Sequence, residues 1–89
     1  MSKSKIITYD LCAPGRDYSD LYDYIKNFSA WAHITESVWF VFSEKSCVDI
    51  RNDLNKLTDS NDRVFVAELT GVAAWRNTIC KSDFLKENL

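Results

Sequence analysis

An aspartate that directly follows a short apolar run is the residue best placed to do chemistry. Asp10 comes after residues 5–9, which are β-branched and aromatic apart from Lys5. A carboxylate at the end of such a strand can meet a metal ion or a substrate in the loop beyond it. One carboxylate alone is a poor Mg²⁺ site, but Mg²⁺ retains waters and takes further oxygen ligands from substrate phosphates. A two-fold dimer would supply a second Asp10. The alternative role of Asp10 is to form the turn.

Basic side chains suggest a second chemistry, which is contact with phosphate. Arg16 precedes the first predicted helix, whose N-terminal amides could receive an anion. Arg63 begins the last predicted strand. The chain has 11 Lys and Arg against 13 Asp and Glu, a net charge of -2, which argues against a strongly basic nucleic-acid binder. We predict Arg16 and Arg63 as nucleic-acid-binding residues, with ordinary solvated charges as the alternative.

The remaining reactive side chains have no visible catalytic partner. His33 is the single histidine, and no base accompanies Ser37 in sequence. The three cysteines stand more than thirty residues apart without a paired motif, which argues against a zinc site, an iron–sulfur site or a disulfide framework. We expect packed or exposed thiols and a packed or edge histidine.

Length and composition indicate one packed domain. The 89 residues are 46% hydrophobic and 13% aromatic, with two glycines and one proline. We place the domain at 1–89, with its core at about 5–70 and a tail at 71–89. The longest apolar run is far shorter than the roughly 20 residues of a membrane span, and no hydrophobic signal segment follows the basic N-terminus. We therefore expect no membrane association and a cytoplasmic location.

Periodicity and turn residues predict six elements, of which two form a hairpin, and a tail. Ser46 with Asp49 resembles a capping box, and Asp17 occupies an N-cap position. The predicted elements are a strand at 5–9, a helix at about 18–27, a hairpin at 30–43 turning at 35–37, a helix from 47 to about 58, a strand at 63–69, and an irregular or partly helical tail from 72.

This order predicts an α+β fold of the ferredoxin-like type, βαββαβ, with one antiparallel sheet and two helices on one face. We expect right-handed crossovers to place the first and third strands side by side and parallel in the centre, with the fourth antiparallel beside the first. Asp10 would then share a sheet edge with residues 43–44 and 62–63. Glu68 would lie at the opposite edge.

The second face of this sheet also carries apolar side chains. In the strand at 38–42, Phe40 alternates with Trp39 and Val41, so both faces are apolar, although the two helices cover only one. Because a large apolar patch is seldom left bare, we predict a homodimer that pairs open sheet faces. The predicted interface residues are Trp39, Phe65 and Trp75, with Trp75 in the tail as a lid. An alternative is a stacking platform for bases.

Several segments taken in order carry a family resemblance. Residues 6–11, the helix at 18–25, residues 31–39 and residues 61–71 together resemble the small SinR-like proteins, which are similar to the CRISPR-associated protein Cas-two and to virulence-associated protein D. The resemblance covers about residues 5–75. It implies a ferredoxin-like homodimer in which Asp10 holds a divalent metal at the dimer axis for phosphodiester hydrolysis.

Three functions follow as hypotheses. The first is a Cas-two-like homodimer acting as an Mg²⁺-dependent nuclease through Asp10 of each protomer. The second is a non-catalytic interaction module that binds a protein, for example as a regulator or inhibitor of a nucleic-acid enzyme. Its acidic helical segments, 17–28 and 47–62, would suit a basic partner. The third is single-stranded RNA recognition through residues 40–42, which the net negative charge disfavours.

Overall fold

A computed structural model describes residues 3–12, 15 and 17–89. In the part of the chain so described, no helix has the length and apolar character needed to cross a membrane. The elements in chain order are β1 (Ser4–Asp10), α1 (Ser19–Lys26), β2 (Ala30–Thr35), β3 (Val38–Phe42), α2 (Cys47–Asn55), β4 (Arg63–Glu68) and α3 (Ser82–Asn88).

The chain is a small α+β unit with one four-stranded antiparallel sheet in the order β2-β3-β1-β4. β3 pairs antiparallel with both β1 and β2, and β4 pairs antiparallel with β1. The expected parallel pairing of the first and third strands is therefore wrong. After the crossover through α1, β2 runs in the same direction as β1. The hairpin then reverses the chain, so that β3 runs in the opposite direction. β3 consequently enters between two strands that both run against it.

This direction of β3 also corrects the prediction of which residues lie beside Asp10 at the end of β1. Asp10 pairs with Arg63, and Glu68 pairs with Lys5 at the far edge, as expected. Residues 43–44 lie at the far edge as well, because the amide of Ser43 donates to the carbonyl oxygen of Lys3 at 2.9 Å. The turn of the hairpin takes their place beside Asp10, where the amide of Tyr9 donates to the carbonyl oxygen of Ser37 at 3.3 Å.

The first sheet face packs against α1 and α2 and forms the main core. The buried side chains of this cluster are Ile7, Tyr9, Leu21, Ile25, Trp39, Val41, Ile50 and Leu54. The cap predicted for α2 is confirmed, because the amide of Asp49 donates to Oγ of Ser46 at 3.0 Å. The N-cap predicted at Asp17 is wrong by one residue: α1 begins after Tyr18, which is the N-cap, and Oδ1 of Asp17 accepts from the amide of Ser19 at 2.9 Å just before the helix.

The second sheet face is partly covered by the chain's own tail. Phe40 is completely buried there, with the ring of Phe84 edge-on at 5.5 Å between centroids. Leu85 of the same helix is also buried, and Oγ of Ser4 donates to the carbonyl oxygen of Asn88 at 2.9 Å. The cover for β3 therefore comes from α3, whereas Phe65 on β4 remains 61% exposed.

The two lateral edges of the sheet differ. Residues of the tail extend the β2 edge, because the amides of Ile79 and Cys80 donate to the carbonyl oxygens of Ile34 and His33 at 2.9 and 3.0 Å. At the opposite side, β4 pairs with β1 and with no other strand among the described residues. The tail thus covers the end of the β2 edge at residues 33–34 and leaves the β4 edge open.

Candidate functional site

Asp10 lies at the mouth of a shallow groove at the end of β1. Its Oδ2 is 3.9 Å from Nη1 of Arg63, and the two side chains are 69% and 77% exposed. The groove has a volume of about 270 Å³ and is lined by Thr8, Tyr9, Asp10, Arg63, Val64 and Phe65. The structure thus brings together the predicted site residues Asp10, Arg63 and Phe65. The site combines one solvated carboxylate, one guanidinium and one exposed aromatic ring.

A second aspartate at this edge, Asp62, was missed as a site residue by the sequence analysis. Its Oδ1 accepts from the amide of Cys12 at 2.6 Å, and its Oδ2 accepts from the hydroxyl of Tyr18 at 2.8 Å and the amide of Asp59 at 2.7 Å. Asp62 therefore ties the segment after β1 to α1 and to the turn before β4. The sequence shows only a cluster of turn residues at 59–62, which does not distinguish Asp62 from its neighbours.

The ligands for a metal at Asp10 would have to come from more than one molecule. Among residues 3–12, 15 and 17–89, no group of three or more His, Cys, Asp or Glu side chains could hold a metal ion. The near carboxylate of Asp62 is already an acceptor of three hydrogen bonds, and the neighbour of Asp10 is a cation. A Mg²⁺ ion here would take its other oxygens from water, a phosphate or a second copy of the chain.

The other predicted site residues lie apart from Asp10. Arg16 falls outside the described residues. Trp39 is 3% exposed, lies on the helix-covered face, and donates from Nε1 to the hydroxyl of Tyr9 at 2.9 Å. Trp39 is thus a core residue of the single chain. Nε1 of Trp75 donates to Oγ of Ser82 at 3.2 Å, which connects the tail loop to the start of α3.

His33 has a packing environment without a catalytic neighbour among its described contacts. Its ring stacks on Trp39, with centroids 4.0 Å apart and planes 6° apart. Its Nε2 lies 3.0 Å from the carbonyl oxygen of Glu36 at the hairpin turn. The structure therefore places this histidine at the sheet edge, stacked on a core aromatic ring.

The open edge of β4 forms a second candidate site. In an antiparallel ladder, alternate residues direct their backbone groups to opposite sides. The amide of Leu69 donates to the carbonyl oxygen of Ser4 at 2.9 Å, so the odd-numbered residues of β4 face β1. The backbone groups of Val64, Val66 and Glu68 consequently point outward from the sheet.

A groove between β4 and α2 runs along this edge, and we call it the edge groove. It has a volume of about 230 Å³ and is lined by Cys47, Val48, Arg51, Val64, Phe65 and Val66. Val48 is 55% exposed and Phe65 is 61% exposed, so apolar surface is available on both sides of the strand. The edge groove therefore offers backbone donors and acceptors together with apolar contacts.

Two charged side chains accompany the edge groove. Nη2 of Arg51 donates to Oδ1 of Asn52 at 3.1 Å, and Arg51 forms no ion pair within the described chain. Glu68 is exposed, extends from the sheet face that Val64 and Val66 share, and likewise has no ion-pair partner among the described residues. The edge thus presents one unpaired cation and one unpaired anion.

No protein-family model matches the sequence. No solved structure gives a significant match to the fold.

Proposed function

We propose that this chain is a non-catalytic interaction module that binds an extended polypeptide segment along the open edge of β4. The observation that carries the proposal is the outward row of backbone groups at Val64, Val66 and Glu68, beside the edge groove. An added strand gains affinity from main-chain hydrogen bonds and specificity from pockets for alternate side chains. The edge groove supplies such a pocket.

The difference between the two sheet edges supports this proposal. An open edge is a site for pairing with another chain, and proteins commonly cover or charge it. Here the tail covers the β2 edge at His33 and Ile34, whereas β4 carries the exposed Phe65 and no covering segment among the described residues. An edge strand with outward backbone groups and an exposed aromatic side chain is stabilised when an extended segment pairs with it. The proposed fold type is ferredoxin-like, with α3 as an addition after the βαββαβ order.

A random peptide library selected against the full chain tests the module. We expect selected peptides to protect the amides of Val64, Val66 and Glu68 from hydrogen exchange. Val66→Pro should abolish binding, because proline removes an outward donor without breaking the ladder to β1. Glu36→Arg, at the exposed hairpin turn, is the control and should bind as the wild type does. Protection elsewhere, or binding that persists in Val66→Pro, contradicts the proposal.

The second candidate function is the Mg²⁺-dependent nuclease of a Cas-two-like, SinR-like homodimer. Its support is the exposed carboxylate of Asp10 at the end of β1, beside Arg63. In this candidate a partner protomer supplies the second Asp10, and Phe65 and Trp75 lie at the dimer interface. Single-stranded RNA and duplex DNA incubated with Mg²⁺ and the chain are the test. Cleavage by the wild type that disappears in Asp10→Ala would establish the nuclease and exclude the non-catalytic module.

A further inference from the structure

We infer that the segment bound at the edge of β4 is β4 of a second copy, paired antiparallel about a two-fold axis at Val66. This inference rests on the proposed binding function of that edge. It names the partner and the register. The resulting dimer contains one continuous eight-stranded sheet and differs from a dimer that stacks sheet faces.

Symmetry and backbone phase restrict the register. A two-fold axis perpendicular to the sheet keeps α2 of both copies on the same side, so each residue must pair with a residue on the same face. Because Val64, Val66 and Glu68 have the outward backbone groups, they must form the hydrogen-bonded pairs of the new ladder. Registers centred on any residue of β4 meet both conditions, but only the one centred on Val66 pairs these three residues entirely with one another.

Electrostatics also favour this register over the neighbouring one centred on Phe65. Centring on Phe65 places Glu68 opposite Asp62 of the second copy, which sets two carboxylates together. Centring on Val66 places Glu68 opposite Val64, which shares the edge groove with Arg51. The anion of each copy then meets the unpaired cation of the other, twice by symmetry. Like charges directly opposite one another destabilise a strand pair, whereas opposite charges stabilise it.

Apolar contacts in this register bury the exposed surface beside the strand. Phe65 lies across from Ala67 of the second copy in a non-hydrogen-bonded pair, in which side chains approach most closely. Val48, 55% exposed on α2, flanks the same interface. The edge dimer therefore covers the edge groove with both hydrogen bonds and apolar side chains.

The edge dimer and a shared metal site at Asp10 exclude each other. Arg63 lies three residues along β4 from the two-fold axis. Its partner Asp10 lies on β1, which is one strand further from that axis. With strand spacings of about 4.8 Å and about 3.4 Å per residue, the two copies of Asp10 would lie about 25 Å apart. One ion cannot bridge that distance. The position of the axis thus separates the interaction module from the paired-Asp10 nuclease.

Sedimentation velocity of the full chain over a concentration series is the test. We expect a concentration-dependent dimer. Arg51→Glu and Glu68→Arg should each weaken dimerisation by about tenfold, and the double variant should regain it. Glu36→Arg is the matched charge-reversal control and should leave the dimer unchanged. Phe65→Lys, at an exposed position, should weaken the dimer while circular dichroism shows the native fold.

The outcomes separate this inference from the proposed function. A monomer at every concentration, or a dimer unaffected by Arg51→Glu and Glu68→Arg, overturns the self-pairing at Val66. If library peptides nevertheless protect the outward amides of Val64, Val66 and Glu68, the edge binds a different protein and the module stands. If a dimer forms with those amides unprotected, the self-pairing of β4 is wrong, and the peptide selection alone decides whether the edge is a binding site.

Discussion

Asp10 and Asp62 lie at the same end of the strands, but only Asp62 is held by hydrogen bonds to other parts of the chain. Asp10 extends into solvent 3.9 Å from Arg63, whereas Asp62 accepts hydrogen bonds from two backbone amides and the hydroxyl of Tyr18. The two carboxylates therefore have different roles although both belong to turn-forming sequence. Alanine substitutions at the two positions should therefore affect stability differently, with Asp62 as the structural residue and Asp10 as the solvated one.

The first prediction concerns these two aspartates. Asp10→Ala should change the free energy of unfolding by less than about 0.5 kcal/mol, because an exposed ion pair contributes little. Asp62→Ala should lower it by about 1–3 kcal/mol, because it removes a charged acceptor and leaves its donors without that partner. Urea denaturation at neutral pH measures both. Equal effects of the two substitutions would contradict the structural role of Asp62.

A second prediction concerns the buried hydrogen bond between Trp39 and Tyr9. Tyr9→Phe removes the acceptor of a buried indole donor and should cost about 1–3 kcal/mol of unfolding free energy. Trp39→Phe and the double variant complete a thermodynamic cycle. We expect a coupling energy of about 1 kcal/mol between the two positions. Additive effects of the two single variants would show that this bond contributes nothing to stability.

The pH dependence of stability follows from Asp53. Lys45 donates to its Oδ2 at 2.6 Å and Tyr24 donates to the same oxygen at 2.6 Å, which together hold the pKa of this carboxyl below its ordinary value of 3.8. A lowered native pKa contributes stability that is complete above the unfolded pKa and disappears as the pH falls through the native one. Asp53→Asn should therefore be less stable than the wild type at neutral pH, and the difference should shrink below about pH 3.8.

Chemical denaturation of Asp53→Asn and of the wild type at a series of acidic pH values measures this effect. Asp23→Asn, at an exposed position of α1, is the control, because it removes a carboxyl group that forms no ion pair or side-chain hydrogen bond among the described residues. A stability difference between wild type and Asp53→Asn that stays constant down to acidic pH would argue against a titrating Asp53.

The last prediction concerns α3 as the cover of the second sheet face. Leu85 is 1% exposed, so Leu85→Ala should lower the free energy of unfolding by about 2–4 kcal/mol through lost burial and the cavity left behind. Lys86→Ala, at an exposed position of the same helix, should change it by less than about 0.5 kcal/mol. Thermal and urea unfolding compare the two variants. Similar small effects would show that α3 is not part of the cooperative fold.

Local structure could be predicted from sequence because its causes are local. Aromatic and β-branched runs at 38–42 and 63–69, bounded by turn residues, predict strands. Helical spacing predicts α1 and α2, and Ser46 caps α2 as its position before Asp49 indicates. Each of these depends on residues a few positions apart. The helical part of the tail was expected without bounds, since residues 82–88 carry few of the apolar repeats that mark a helix.

Tertiary structure decided what the patterns leave open, because strand direction and burial depend on contacts between distant residues. The continuous apolar run at 38–42 predicts that both faces of β3 are apolar, but only the fold assigns Trp39 to the helical side and Phe40 to α3. The pairing of Ser37 with Tyr9 shows the direction of β3, which local patterning did not determine. Which sheet edge stays open was likewise decided by the return of residues 79–80 to β2. The sequence shows the residues of β4 directly. Which of their backbone amides point outward is decided only when the other side of β4 pairs with β1.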